Sequence, residues 1–297
     1  MAKVKIADMI EAPKVLLKGN FACAGCGLSI AYKNAVSAVP NPIVVIPACC
    51  ASVIQSPHPN VTYNVPTMNI AFAAHAAMAS GIARAKQVRG DKNTVMVWSG
   101  DGGTYDIGMA TISGAAERNE NIIHVCYDNG FYGNTGAQRS GATPRGATTT
   151  TTPYGKNEKR KSIARIIAAH DVPYVATTSV GYPRDIHAKL KKAATIEGFK
   201  FVLIDAPCPT GWSFDPSLSV ELGKLAVKTG FFPMYEIENG VLKFHPISRN
   251  LKDPSKRAPL EDYLEKQGRF KNITSAQIKG LKADIQTEWD ILMRMEG

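Results

Sequence analysis

Asp101 stands in the segment SGDGGTYDIG, directly after an apolar run and directly before a helical stretch. Glycines 100, 102 and 103 let the main chain approach a ligand closely, and a helix beginning near Ile107 offers unpaired N–H groups to an anion. A carboxylate there suits a divalent cation better than a bare diphosphate. Taken alone, the pattern is equally compatible with a plain glycine turn. What sharpens it lies 28 residues downstream, where a second apolar run ends at Asp128-Asn129. One strand-helix-strand unit brings two such tips side by side. Asp101 and the Asn129 side-chain oxygen would then face one ion, with the Phe131 carbonyl as a third ligand. Magnesium favours such an oxygen set completed by phosphate and water.

The six cysteines form a second constellation: Cys23-x-x-Cys26, Cys49-Cys50, Cys126 and Cys208. Cys126, inside an apolar run, reads as a small buried hydrophobe. Two thiols on the tight CAGCG turn instead read as the opening of a zinc or an iron-sulfur site, and residue types alone do not separate the two. A thioredoxin-like pair is disfavoured because neither a preceding strand nor a following helix is legible around the turn.

The elements that must position these residues follow from hydropathy. Strands are expected at Pro42–Ile46, Thr94–Trp98, Ile122–Tyr127, Tyr174–Thr178 and Phe199–Ile204. Helices are expected at Thr67–Gln87, Ile107–Arg118, Ser162–His170 and Arg184–Thr195. Uninterrupted apolar strands separated by helices predict an α/β fold with a mostly parallel sheet covered on both faces. Beyond residue 215 the pattern changes to a helix at Leu218–Thr229, a hairpin around Asn239-Gly240, and amphipathic helices at Leu260–Lys266 and Ala276–Met295. We therefore expect a cofactor domain over residues 1–215 and a C-terminal extension over 216–297 that packs on partner subunits.

The 297 residues carry 35 Lys and Arg against 25 Asp and Glu, a net charge of +10. The basic residues cluster near 155–165, 189–200 and 252–271 without the interleaved aromatics of a nucleic-acid platform, so an acidic partner protein or a phosphate-rich ligand is the better match. No run approaches membrane-spanning length, and charges occupy the start where a signal peptide needs apolar residues, so a cytoplasmic location is expected. His75 and His124 read as satisfied core histidines, Lys156–Lys161 as a solvated face, and Arg139 and Arg145 as surface charges or contacts to coenzyme A or substrate.

The pairing of GDG with a downstream Asn resembles the thiamine diphosphate motif. The loop DNGFYGNTGAQRSGATPRGATTTTTPYGK narrows the resemblance to the 2-oxoacid:ferredoxin oxidoreductases, in particular the β subunit of the pyruvate-type enzymes. It runs from about Lys18 to the QGRF segment at Gln267–Phe270. The resemblance implies a thiamine diphosphate-binding fold, with Gly100, Gly102, Gly103, Tyr132 and Thr135 at the cofactor and magnesium on Asp101, Asn129 and the Phe131 carbonyl. It places Asn134 beside the reactive thiazolium and Thr148–Thr152 over the cofactor. Ala137 departs from the family's expected glycine. The resemblance also selects iron-sulfur: a four-iron four-sulfur cluster held by Cys23, Cys26, Cys50 and Cys208, with Cys50 preferred to Cys49 for its spacing and the following CASV.

As further implications, the reaction is oxidative decarboxylation of a 2-oxoacid with transfer to coenzyme A, and electrons leave to ferredoxin or a similar acceptor. Partners are a pyrimidine-binding α-type subunit that supplies the catalytic Glu, a γ-type subunit and a ferredoxin-like δ-type subunit. Tyr63–His75 departs from the stretch expected of pyruvate enzymes, which leaves oxalate, an aryl glyoxylate or a branched 2-oxoacid open beside pyruvate. Two competing readings are a non-redox thiamine decarboxylase or synthase, which leaves the cysteines idle, and a zinc-stapled scaffold subunit.

Overall fold

Runs of valine and isoleucine bounded by polar turns pair into one eight-stranded sheet in the computed structural model, which describes residues 6–297; the first five residues of the expected cofactor domain lie outside it. The strands are β1 (Pro42–Pro47), β2 (Thr67–Ile70), β3 (Thr94–Gly100), β4 (Ile123–Asp128), β5 (Tyr174–Ser179), β6 (Lys200–Asp205), β7 (Tyr235–Glu238) and β8 (Val241–Phe244). Their order is β2-β1-β3-β4-β6-β5-β7-β8, with β1 to β6 parallel and the last two antiparallel. Side chains alternate between two buried faces, as a parallel sheet covered on both sides requires. Val45, Val95 and Val97 pack under the helix His75–Arg89, on the face whose core also takes in the helices Met109–Glu117 and Ser275–Arg294. Val44, Ile46, Met96 and Trp98 pack under Gly27–Val36 and Pro183–Ala193.

Three elements differ from the expected pattern. Thr67–Ile70 is a strand, paired in parallel with β1 from Val44 opposite Thr67, and the helix begins only at His75. The alanine-rich run suits a helix, but Thr67 and Ile70 fill an open edge beside β1, and tertiary pairing overrides the local preference. A helix does follow the CAGC turn, over Gly27–Val36, hidden because half of its buried positions are alanine or glycine. A third helix, Cys50–Ile54, starts directly at a cysteine.

The hairpin falls where Asn239-Gly240 predicts, both turn residues having positive φ (49° and 80°), and it extends the sheet through β5. Trp289 of the C-terminal helix reaches this part of the core. It is fully buried, stacks on Phe244 at 5.4 Å and donates its indole N–H to the Gly230 carbonyl at 2.7 Å. Trp289→Ala is expected to lower unfolding free energy by about 3–5 kcal/mol in denaturant titration. A loss below about 1 kcal/mol would show that the helix is peripheral to the core. Among the described residues no helix is long and apolar enough to cross a membrane.

Candidate cofactor cleft and cysteine cavity

Four strands that are neighbours in the sheet end on the residues singled out above. β1 runs out into Cys49 and Cys50, β3 into Asp101, β4 into Asn129 and β6 into Cys208. The chain leaves β1 toward β2 on one side and returns as β3 on the other, so the tips of β1 and β3 open a crevice at the point where the strand order reverses.

Gly100, Asp101, Gly102, Gly103, Asn129, Phe131, Tyr132, Asn134 and Thr135 all line a single cleft at this point, together with Cys49, Cys50, Phe72 and Tyr127. The glycines are there for space. A Cβ on Gly102 would enter the Tyr132 ring, and one on Gly103 would stand 2.6 Å from Ser99 Oγ. The expected helix at Ile107 begins earlier as a widened π-turn over Gly102–Ile107, a form frequent at functional sites, and becomes α-helical at Met109.

Asp101 is 1% exposed and accepts a hydrogen bond from Ser140 Oγ at 2.5 Å. Burial, with the nearby Asp128 carboxylate, pushes its carboxyl well above the usual carboxylate range. A bound cation would reverse this by favouring the charged form. The Asn129 side-chain oxygen accepts weakly from the Phe131 N–H at 3.3 Å. The hard oxygen donors and the glycine-lined walls fit a magnesium diphosphate group.

A second cavity adjoins the first. Cys23, Cys26, Cys50 and Cys208 all line it, and Cys50, Asn129 and Asn134 line both cavities. The CAGC turn reaches this place because the Gly27 N–H donates to the Pro207 carbonyl at 3.1 Å, beside the exit of β6. Burial and then the neighbouring sulfurs raise the Cys50 thiol, while burial pushes Cys208 up to about 11 against the hydrogen bonds that favour its thiolate. To stand together as thiolates, these sulfurs would need a cationic metal beside them. Among the described residues no three His, Cys, Asp or Glu side chains stand at the spacing of a single-ion site. Cys49 takes another direction: its thiol donates to the Pro47 carbonyl at 3.0 Å, and it lines the cofactor cleft rather than the cysteine cavity.

The two cavities are joined by a contact that the sequence did not disclose. Trp212, four residues after Cys208, donates its indole N–H to the Asn129 carbonyl at 2.6 Å, and Gly211 lies against the face of Phe131. A Cβ at 211 would penetrate that ring. Gly211→Ala is expected to displace the Asn129–Phe131 turn and weaken thiamine diphosphate binding by about tenfold or more, measured by calorimetry with magnesium present. Unchanged affinity would remove Gly211 from the positioning of the turn.

Several residues depart from the roles expected of them. Thr148–Thr152 is knitted to the C-terminal segment, with Thr148 N–H donating to the Arg269 carbonyl at 2.8 Å, and is not among the residues that line the cleft. Most of Lys156–Lys161 is exposed, but Lys156 is buried on the Thr143 carbonyl at 2.8 Å, where burial lowers its amine to about 8, and Arg160 is half-buried on Asp128. Arg145 pairs with Asp284 of the C-terminal helix at 2.7 Å. His75 and His124 are fully buried, but neither His124 nitrogen has a hydrogen-bond partner among the described residues, and burial holds both rings neutral. Ala137 adopts φ +62°, the left-handed conformation that favours glycine.

Comparison with known proteins agrees with this geometry. Residues 47–206 match the thiamine pyrophosphate enzyme family, C-terminal TPP binding domain. The chain is therefore a thiamine diphosphate-binding protein by fold. It is 45% identical over 284 residues to the pyruvate synthase subunit PorB of Methanothermobacter marburgensis, covering 93% of this chain and 95% of that one. It is 43% identical over 290 residues to the ketoisovalerate oxidoreductase subunit VorB of Pyrococcus horikoshii, covering 93% and 92%. Among solved structures, a 2-oxoglutarate:ferredoxin oxidoreductase from Magnetococcus marinus superposes with TM-score 0.58 at 24% identity, over 75% of this chain and 81% of that one, which supports the fold. The chain belongs to the thiamine diphosphate-binding subunits of the 2-oxoacid:ferredoxin oxidoreductases.

Proposed function

We propose that this chain carries both the cofactor and the first electron acceptor of a cytoplasmic 2-oxoacid oxidoreductase. The observation that carries the reading is the shared wall: Cys50, Asn129 and Asn134 border the cofactor cleft and the cysteine cavity at once. Asp101, Asn129 and the Phe131 carbonyl would hold magnesium, with Gly100, Gly102, Gly103, Tyr132 and Thr135 around the cofactor. When bound, thiamine diphosphate supplies the electron sink that lets a 2-oxoacid lose carbon dioxide. Asn134, which lines the cleft, would donate a hydrogen bond to the substrate oxygen on which charge develops. Cys23, Cys26, Cys50 and Cys208 would hold a four-iron four-sulfur cluster that takes electrons singly.

The substrate carboxylate is held largely by another subunit, as in the family the chain resembles, and activity requires the assembled complex. Residues 216–297 serve that assembly beside α-, γ- and δ-type partners. The relatives named above act on pyruvate and ketoisovalerate, and both, with coenzyme A as acyl acceptor and ferredoxin as electron acceptor, are the first substrates to try. The test is an anaerobic panel of 2-oxoacids on the purified complex with a dye acceptor. Dye reduction that requires thiamine diphosphate and one 2-oxoacid is expected. Carbon dioxide release without dye reduction would favour a non-redox decarboxylase instead, and zinc without thiamine diphosphate binding would favour a scaffold.

A further inference from the structure

Asp128, the residue before Asn129, is 4% exposed and turned away from the cofactor cleft. Its Oδ1 accepts the Gly130 N–H at 3.0 Å, which closes the turn Asp128-Asn129-Gly130 that presents the Asn129 side chain and the Phe131 carbonyl. Its Oδ2 accepts from the Tyr105 hydroxyl at 2.6 Å and from Arg160 Nη2, and Arg160 Nη2 also donates to the Tyr105 hydroxyl at 2.9 Å. Tyr105 belongs to the π-turn that follows Asp101, so this triad ties the tip of β3 to the tip of β4 from behind. Arg160 comes from a distant loop and lies against the rings of Phe231, Phe232 and Tyr105 at 5.9–6.0 Å. The other buried guanidinium nearby, Arg269, donates to Gln267 and Tyr263.

We propose that Arg160 is a positioning residue for the magnesium diphosphate site: it neutralises Asp128 and, through Asp128 and Tyr105, fixes the spacing between Asp101 and the Asn129–Phe131 turn without touching cofactor or metal. The proposal rests on the reading that Asp101, Asn129 and Phe131 hold magnesium. Its physical basis is the cost of an unpaired buried carboxylate. With Arg160 gone, the Asp128 carboxylate loses the cation that holds Oδ2 and must turn toward water, which releases the turn that carries two of the three expected ligands.

The test is calorimetric binding of thiamine diphosphate to the assembled complex at a series of magnesium concentrations. For Arg160→Met the magnesium needed for half-maximal binding is expected to rise about tenfold or more, the usual size of an outer-sphere effect. Arg160→Lys is expected to recover part of the loss. Arg160→Met combined with Asp128→Asn, which leaves no unpaired charge, is expected to recover most of it. That rescue separates charge compensation from simple packing, and the Lys and double variants decide the matter if Arg160→Met folds poorly. A magnesium requirement within about twofold of wild type for Arg160→Met, or a double variant no better than the single one, overturns the proposal while the cofactor assignment stands. A wild-type complex that binds no thiamine diphosphate in magnesium overturns both.

Discussion

Replacing Cys50 with alanine is expected to strip the chain of its iron, from about four atoms to fewer than about one in anaerobically purified complex. Replacing Cys49 is expected to leave the iron in place. The two residues are adjacent, and the contrast follows from where their sulfurs point. Cys50 opens a short helix and borders the cavity that Cys23, Cys26 and Cys208 also line. Cys49 caps that helix and spends its thiol proton on the Pro47 carbonyl, inside the cofactor cleft. Losing its sulfur costs packing worth about 1 kcal/mol and no metal ligand. Iron analysis and the cluster's absorption read the outcome directly. Equal iron in the Cys50 variant and the wild type would mean that the cavity holds no cluster, and iron lost on Cys49 alone would exchange the roles of the two residues.

Asp101→Asn is expected to act in opposite directions on binding and on stability. The substitution keeps the shape and removes the charge, so thiamine diphosphate affinity at fixed magnesium is expected to fall by about a hundredfold or more. Without cofactor the same variant is expected to be more stable than wild type at neutral pH by about 1–2 kcal/mol. The reason is that burial and Asp128 disfavour the charged carboxylate in the free protein. A carboxyl whose pKa is raised on folding costs stability once the pH exceeds its unfolded value, and the amide has no such cost. Site strain of this kind is what a binding residue, as opposed to a structural one, imposes. A variant that binds as well as wild type, or that is destabilised without cofactor, would place Asp101 among the structural carboxylates.

Much of the site is legible in the order of residues along the chain. GDGG after an apolar strand and Asn129 after the next one depend on local spacing and one crossover, and the parallel topology delivers them to one crevice. The cysteines need more, because Cys23 and Cys208 are far apart in sequence, and contacts such as the packing of Gly27 on Pro207 and the Ser219 hydroxyl on the Gly25 carbonyl bring the first pair to the tip of β6. Their grouping is readable through family resemblance and not from spacing. What stays hidden are contacts with no local pattern: the Trp212 indole on the Asn129 carbonyl, Ser140 on Asp101, and the Tyr105–Asp128–Arg160 triad. Within the largely exposed run Lys156–Lys161, the inward turn of Lys156 and Arg160 is hidden because a charge run carries no mark of the partners a long loop will fold it against. The short edge strand β2 is lost inside an alanine-rich run for the same reason, since its pairing partner is more than twenty residues away.

The claim on which the rest depends is that electrons released at the cofactor cleft pass to metal bound by the cysteines of this same chain. Electron paramagnetic resonance of the anaerobic complex, freeze-quenched after addition of a 2-oxoacid that it turns over, tests this most directly. The account predicts a reduced-cluster signal that requires thiamine diphosphate and that disappears in the Cys208→Ala variant. A signal of full size in that variant, or one that forms without thiamine diphosphate, would contradict it.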